Sequence, residues 1–324
     1  MKRHILWCGT LIDVLAAPVL AEAPTLVLPL DCVLGQNCYI EDYVDADPSE
    51  DQRDYTCGLK SRDGHHGTDI GLLSFEAMQE GVDVLAAAPG VVSAVRDGVA
   101  DVAFTPENLD QIKGQECGNG IRIDHGDGWK TLYCHMRKGS LLVQGGDVVQ
   151  AGQPVGQVGL SGLTNFPHVH FSVTKDDEEI DPFAPQQTQE CGQNEDQDLW
   201  SETPSYHRAG LFTAGFSTAI PTLNDVSTGA ARVAHGQPDL PLVLYGHAFY
   251  AESGDVLSLF ATGPDGEIFR KAIILDDPQI HLFRAFGRKS PAGGWPVGSY
   301  HGTALLERKG QVLAVRHSVI SVSD

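Results

Sequence analysis

Between residues 65 and 185 apolar positions come in short runs at a period of two, broken by glycines, which is the pattern of β-strands and turns. Ile121-Arg122-Ile123-Asp124 alternates, Gly126-Asp127-Gly128 offers a turn, and Lys130 to His135 returns as a second strand, predicting a hairpin. Val82 to Val95 reads as two strands around Pro89-Gly90. His168-Val169-His170 continues its alternation through Phe171 and Val173, so it too is expected on a strand. Strand-like runs resume over 205–324, at Leu242–Tyr245, Val256–Phe260, Lys271–Leu275, Tyr300–Leu306 and Val312–Val322, with Pro264-Asp265-Gly266 as a turn. No repeat or sustained heptad is present. The prediction is an all-β chain, a first β-domain over 65–185 and a C-terminal β-sandwich over 205–324. Two loop-rich pieces flank the first domain: an acidic lead-in over 22–64 and a polar linker over 186–204.

Charge sharpens this division. The net charge is −21, and residues 1–200 hold 32 Asp and Glu against 12 Lys and Arg, whereas residues 201–324 hold 11 against 10. A chain this acidic lacks the basic stripe that nucleic acid requires. Asp42, Asp45, Asp47, Glu50, Asp51 and Asp54 crowd the lead-in without the spacing of an EF-hand, so a solvated acidic loop is expected there.

Met1-Lys2-Arg3-His4, the apolar stretch Ile5 to Leu20 and the small residues around Ala21 read as a signal peptide over 1–21, with Asp13 as a blemish and a buried N-terminal helix as the alternative. No later stretch is long and apolar enough to span a membrane once that segment is removed. Its removal takes Cys8 and leaves Cys32, Cys38, Cys57, Cys117, Cys134 and Cys191, an even set that suits an oxidising compartment. Six cysteines leave 15 pairings open; the expected set is Cys32 with Cys38 closing a small loop, Cys117 with Cys134 across the central hairpin, and Cys57 with Cys191 tying the entry of the first domain to its exit.

Three segments carry candidate chemistry: His65-His66-Gly67-Thr68-Asp69, Tyr133-Cys134-His135 and His168-Val169-His170. Histidines two apart on a strand project to one face, the geometry that places two imidazoles around one ion or reacting atom. A hydrolytic zinc takes three protein ligands and keeps a position open, so of His65, Asp69, His135, His168 and His170 two must be left to move protons or stabilise an oxyanion. His66 competes with His65 as a ligand. Asn119 is read as a turn residue and His125 as structural, while the histidines beyond residue 200 show no ligand spacing.

Together these segments resemble the lysostaphin-type (LytM-like) peptidoglycan zinc metallopeptidases, whose pattern of His-X-Gly-X-Asp, Tyr-X-His, a Gly-Asp…Gly-Gln…Gly…Gly run and His-X-His-Phe is matched over about 65–182. The resemblance implies a half-barrel-like antiparallel sheet and one zinc per chain held by His65, Asp69 and His170. It also implies that His135 and His168 are catalytic. Phe166 stands where a Gly is frequent in the family and Ser172 where a Glu is common, and a change of cleft shape is expected from both. The function implied is an exported zinc endopeptidase acting on the peptide cross-links of peptidoglycan. A catalytically silent regulator of wall hydrolases is the alternative, and the C-terminal domain is a candidate for binding a protein partner. A biotinyl or lipoyl carrier is discarded because 139–174 holds no Lys for attachment. Removal of residues 1–21 makes the charge −22, which an anionic, polyphosphate-rich wall would repel. The expected location is therefore a Gram-negative periplasm, with secretion as the alternative, and the expected reaction is D,D-endopeptidase cleavage of direct cross-links.

Overall fold

The structure, a computed structural model, describes residues 23–73, 75–105, 108–186, 191–192 and 197–323. The predicted signal peptide with Cys8, and much of the predicted linker, lie outside the described residues. The first ten strands are β1 (Cys38–Asp42), β2 (Thr68–Leu72), β3 (Asp83–Leu85), β4 (Gly90–Arg96), β5 (Asn119–Gly126), β6 (Trp129–Met136), β7 (Val148–Val149), β8 (Pro154–Gln157), β9 (His168–Lys175) and β10 (Glu178–Ile180). The remaining eight are β11 (Gly210–Ser217), β12 (His235–Gly236), β13 (Leu242–Ala251), β14 (Val256–Gly263), β15 (Gly266–Ile274), β16 (Gln279–Arg288), β17 (Gly298–Arg308) and β18 (Gln311–Val322). The helices described are short, the longest running over Phe75–Glu80.

The main sheet runs β1-β2-β9-β6-β5-β4-β7, with β10 on β9, and every pairing is antiparallel. The central hairpin β5–β6 closes where Asp127 (φ 48°) and Gly128 (φ 80°) supply the two left-handed residues that a tight two-residue loop needs. Ile121 and Ile123 of β5 and Tyr133 of β6 are fully buried on the core face, with Arg122 exposed between the isoleucines. On β9, Val169, Phe171 and Val173 fill the same core. The strands predicted around Pro89-Gly90 form, but they belong to different sheets: β3 pairs with β8, and β4 with β5 and β7.

All three cysteine pairs form as expected: Cys32–Cys38, Cys57–Cys191 and Cys117–Cys134. The acidic lead-in departs from the solvated loop expected of it. Asp54 is fully buried and accepts from the backbone N–H groups of Thr56 (2.9 Å), Gly58 (2.9 Å) and Lys60 (3.1 Å) and from the Tyr206 hydroxyl (2.8 Å). A carboxylate with that many donors is an organiser of the loop, so burial costs it little. Asn119 is likewise buried at the start of β5, its Nδ2 donating to the carbonyls of Val99 and Met136.

Residues beyond 209 build two facing sheets, β11-β13-β16 and β12-β18-β17-β14-β15, which enclose a second core of Phe216, Leu244, Leu257, Leu259, Leu306 and their neighbours. The two units meet where Tyr39 and Phe166 pack on Val312 and Val315. Around this contact the Tyr39 hydroxyl donates to the Val315 carbonyl (3.0 Å), buried Lys60 donates to the Leu313 carbonyl (3.2 Å), and Arg316 pairs with Glu41 and Asp42.

Candidate metal centre

Strand pairing brings the separated sequence motifs to one face. Asp69 of β2 lies opposite His170 of β9, and Gly71 opposite His168, while Ile70 meets Val169 on the core side. His65 reaches the same face from the loop before β2. Its Nε2 lies 3.1 Å from Asp69 Oδ1 and 3.2 Å from His170 Nδ1, and His170 Nδ1 lies 2.8 Å from Asp69 Oδ1. The glycine of the first motif has a steric reason: a Cβ on Gly67 would come within 2.7 Å of the His170 ring and of the Phe171 carbonyl.

His135 reaches this face by a different device. Tyr133 pairs with Phe171 on the core side and Cys134 with His170 on the site side, so simple alternation would send His135 into the core. Instead the register shifts, with Cys134 and His135 together opposing Gly120, and His135 takes a left-handed φ of 61°. Such a bulge re-aims a side chain. The His135 ring now lies 4.7 Å, centroid to centroid, from that of His168.

Hydrogen bonds behind the rings set which nitrogen faces inward. His65 Nδ1 donates to the Tyr43 carbonyl (2.8 Å), leaving the Nε2 lone pair towards Asp69. Ser172 Oγ donates to the His66 carbonyl (2.7 Å) and so accepts from His170 Nε2 (2.9 Å), leaving the His170 Nδ1 lone pair inward. With these tautomers, two imidazole lone pairs and a carboxylate oxygen converge on one point. Acceptors arranged this way repel one another unless a cation sits among them, and two nitrogens with one oxygen suit zinc. Among the described residues these three form the group able to hold a metal ion.

His135 and His168 are turned the same way. His135 Nδ1 donates to the Ser161 carbonyl (2.8 Å) and His168 Nδ1 to the Phe166 carbonyl (2.9 Å), so both Nε2 atoms are acceptors. His168 Nε2 is buried without a hydrogen-bond partner, 3.5 Å from Asp69 Oδ2. Burial pushes the His135 imidazole well below its ordinary pKa, and His168 and His170 add to the shift. Burial also lowers His168, partly offset by Asp69. Burial would raise Asp69, but His65, His168 and Arg62 outweigh it and hold the carboxyl well below the usual range.

Three contributors escape a reading of the sequence. Ser172 fixes the tautomer of His170 rather than merely reshaping the cleft. Phe166 stacks on His168 with ring centroids 6.0 Å apart and 9° between planes, and on the other side it meets His317 of β18. The Arg62 guanidinium donates to Asp69 Oδ2 and lies 3.6 Å from Asp42. His66 is 68% exposed and pairs with Glu179 at 2.5 Å, pointing away from the cluster, while His125 bonds the Pro89 carbonyl and Thr131 as a structural residue.

An antiparallel β-sheet here gathers two histidines and an aspartate around one point, with two further imidazoles beside them, as a candidate metal centre. Residues 63–182 match the model of Peptidase family M23. Similar curated proteins include the peptidoglycan DD-endopeptidase ShyB of Vibrio cholerae, 39% identical over 56 residues, or 17% of this chain and 13% of that protein. Another is the DD-carboxypeptidase/endopeptidase Mpg of Neisseria meningitidis, 29% identical over 109 residues, or 33% of this chain and 22% of that protein. The matched stretch is therefore less than a quarter of either relative's length. Among solved structures, the catalytic domain of the M23 protein EnpA from Enterococcus faecalis is 23% identical, with coverage of 49% of this chain and 94% of that one and a TM-score of 0.32. The catalytic domain of lysostaphin from Staphylococcus simulans is 22% identical, with coverage of 44% and 85% and a TM-score of 0.28.

Proposed function

We propose that this protein is an exported zinc endopeptidase that cuts peptide cross-links of peptidoglycan, most simply the direct D,D cross-links of a periplasmic wall. His65, Asp69 and His170 hold one zinc per chain, and His135 and His168 act on the substrate. The observation that carries this reading is the set of inward-facing acceptors: three converge on one point, and two more line the face beside it. Zinc, when bound, supplies Lewis acidity to a peptide carbonyl and to water. The neutral Nε2 of His135 or of His168 is placed to take a proton and return it to the departing amine. In its protonated form either ring donates to the oxygen on which charge develops. Burial keeps both rings neutral at rest, which makes them acceptors at the start of a cycle. The relatives named for DD-endopeptidase activity support the choice of bond. The full set of five side chains favours an enzyme over a silent regulator. The test is metal analysis of the purified chain together with mass spectrometry of fragments released from purified wall. Zinc near one per chain and monomers freed from directly cross-linked wall are expected. Preferential cutting of glycine bridges, or a metal-free chain without turnover, overturns the proposal.

A further inference from the structure

A cavity of about 290 Å³ lies in the seam between the two units. Glu41, Asp42 and Arg62 of the first unit and Arg232 and Arg316 of the second line it, with Phe166 between them. It adjoins the metal centre directly, since Arg62 donates to Asp69 and Phe166 stacks on His168. Three guanidinium groups stand against two carboxylates in its lining, and Asp69 behind Arg62 balances the third. Two of the arginines are already engaged: Arg316 with Glu41 and Asp42, and Arg62 with Asp69 and Asp42. Arg232 has no carboxylate partner among the described residues. Its guanidinium is held by neutral oxygens alone, Thr213 Oγ1 and the Ala214 carbonyl. Arg232 is exposed, and a planar fork held at one side by these oxygens and open to a cavity on the other matches the geometry of a carboxylate.

We infer that this cavity is a subsite for a free carboxylate of the substrate peptide, read by Arg232, so that the C-terminal sandwich completes the cleft that the first unit begins. The inference rests on the peptidase reading, because the group in the cavity is taken to be continuous with the chain presented to the metal centre. Stem peptides of peptidoglycan carry free carboxylates, and a carboxylate is small enough for the space. Long-range repulsion from the acidic chain would make the subsite selective for a ligand already tethered by its peptide.

The probe is the tetrapeptide L-Ala-γ-D-Glu-diaminopimelyl-D-Ala, used as the free acid and with its carboxylates amidated, titrated calorimetrically into the full chain. The wild type should bind the free acid about 10- to 100-fold more tightly than the amide, the usual worth of a charged hydrogen bond. Arg232→Gln should abolish that preference while leaving zinc content unchanged. Equal affinity of the wild type for both forms, binding of neither, or a preference that survives Arg232→Gln overturns the subsite. If the variant misfolds, equal affinity of the wild type for both forms still overturns the subsite. Turnover of purified wall is scored separately, so a failed subsite with intact turnover leaves the peptidase reading standing.

Discussion

At the scale of the residue, the proposed function separates groups assigned to an ion from groups assigned to the substrate, and the two sets should respond differently to deletion. His65→Ala, Asp69→Ala and His170→Ala should each empty the zinc site and abolish activity. His135→Ala and His168→Ala should keep zinc near one per chain and lose turnover by about 10²- to 10⁴-fold. Atomic absorption with turnover on purified wall distinguishes them, and a reversal within the pair His168 and His170 would exchange their roles. Ser172 gives a subtler expectation. It accepts from His170 Nε2 and donates its own hydroxyl hydrogen bond to the His66 carbonyl, so it fixes the tautomer without touching an ion. Ser172→Ala should weaken zinc binding by about 10- to 100-fold, as loss of a ligand's supporting hydrogen bond usually does, and competition with a chelator measures it.

At the scale of the element, the site depends on the bulge at the end of β6. His135 N–H donates to the Cys117 carbonyl at 2.8 Å, and Cys117 is bonded to Cys134, the residue before His135. The disulfide and the backbone bond together hold the left-handed turn that aims the ring. Replacing both cysteines by Ala should cost about 3 kcal/mol, the loop-entropy value for a closure of this size, which spans 17 residues. Turnover should fall at temperatures where the variant is still folded, while zinc stays bound, because the proposed ligands lie on β2, β9 and the loop before β2. Denaturant melts and zinc content on the double variant check both parts. Retained turnover in the folded variant would show that the bulge holds without the bridge.

At the scale of the molecule, two cores meet across a polar seam, and we place the boundary between them after Tyr206. Trp200 packs on Phe171 and Phe183, and Tyr206 on Tyr43 and Tyr55, so the chain up to that point belongs to the first core. Limited proteolysis within 201–205 should leave two resistant pieces that co-elute, since Tyr206 of the C-terminal piece stays packed in the first core and Arg316, Lys60 and Tyr39 still bridge the two. Rapid digestion of the C-terminal piece would contradict this. The seam also titrates. Burial raises Glu41 to about 7, against the opposing pull of Arg316. A carboxyl raised in the folded state favours folding at low pH, and that contribution is lost as pH rises from its unfolded value near 4.5 through 7. Glu41→Gln should therefore match the wild type at pH 5 and exceed it at pH 8 by on the order of 1–3 kcal/mol in urea denaturation. Equal stability at both pH values would remove Glu41 from that role.

Local pattern by itself determined the hairpin β5–β6, the strand carrying His168 and His170, and the sandwich strands at 242–245, 256–260, 271–275, 300–306 and 312–322, because alternation and turn residues act over a few neighbours. Cysteine spacing pointed to the three pairs that form. The family pattern singled out His65, Asp69, His135, His168 and His170, and all five lie within one neighbourhood. The face of His135 was not legible, since a period of two places it with Tyr133 in the core, and only the bulge against β5 reverses it. The roles of Ser172, Arg62 and Phe166 were hidden for a related reason. Each acts through a partner distant in sequence or through a carbonyl whose direction no pattern encodes. The burial of Asp54 involves Tyr206, 152 residues away, and the cavity at Arg232 is lined by residues of both units. Side-chain alternation is a property of one strand, whereas the direction of a lone pair, the burial of a charge and the lining of a cavity belong to the assembled set of neighbours.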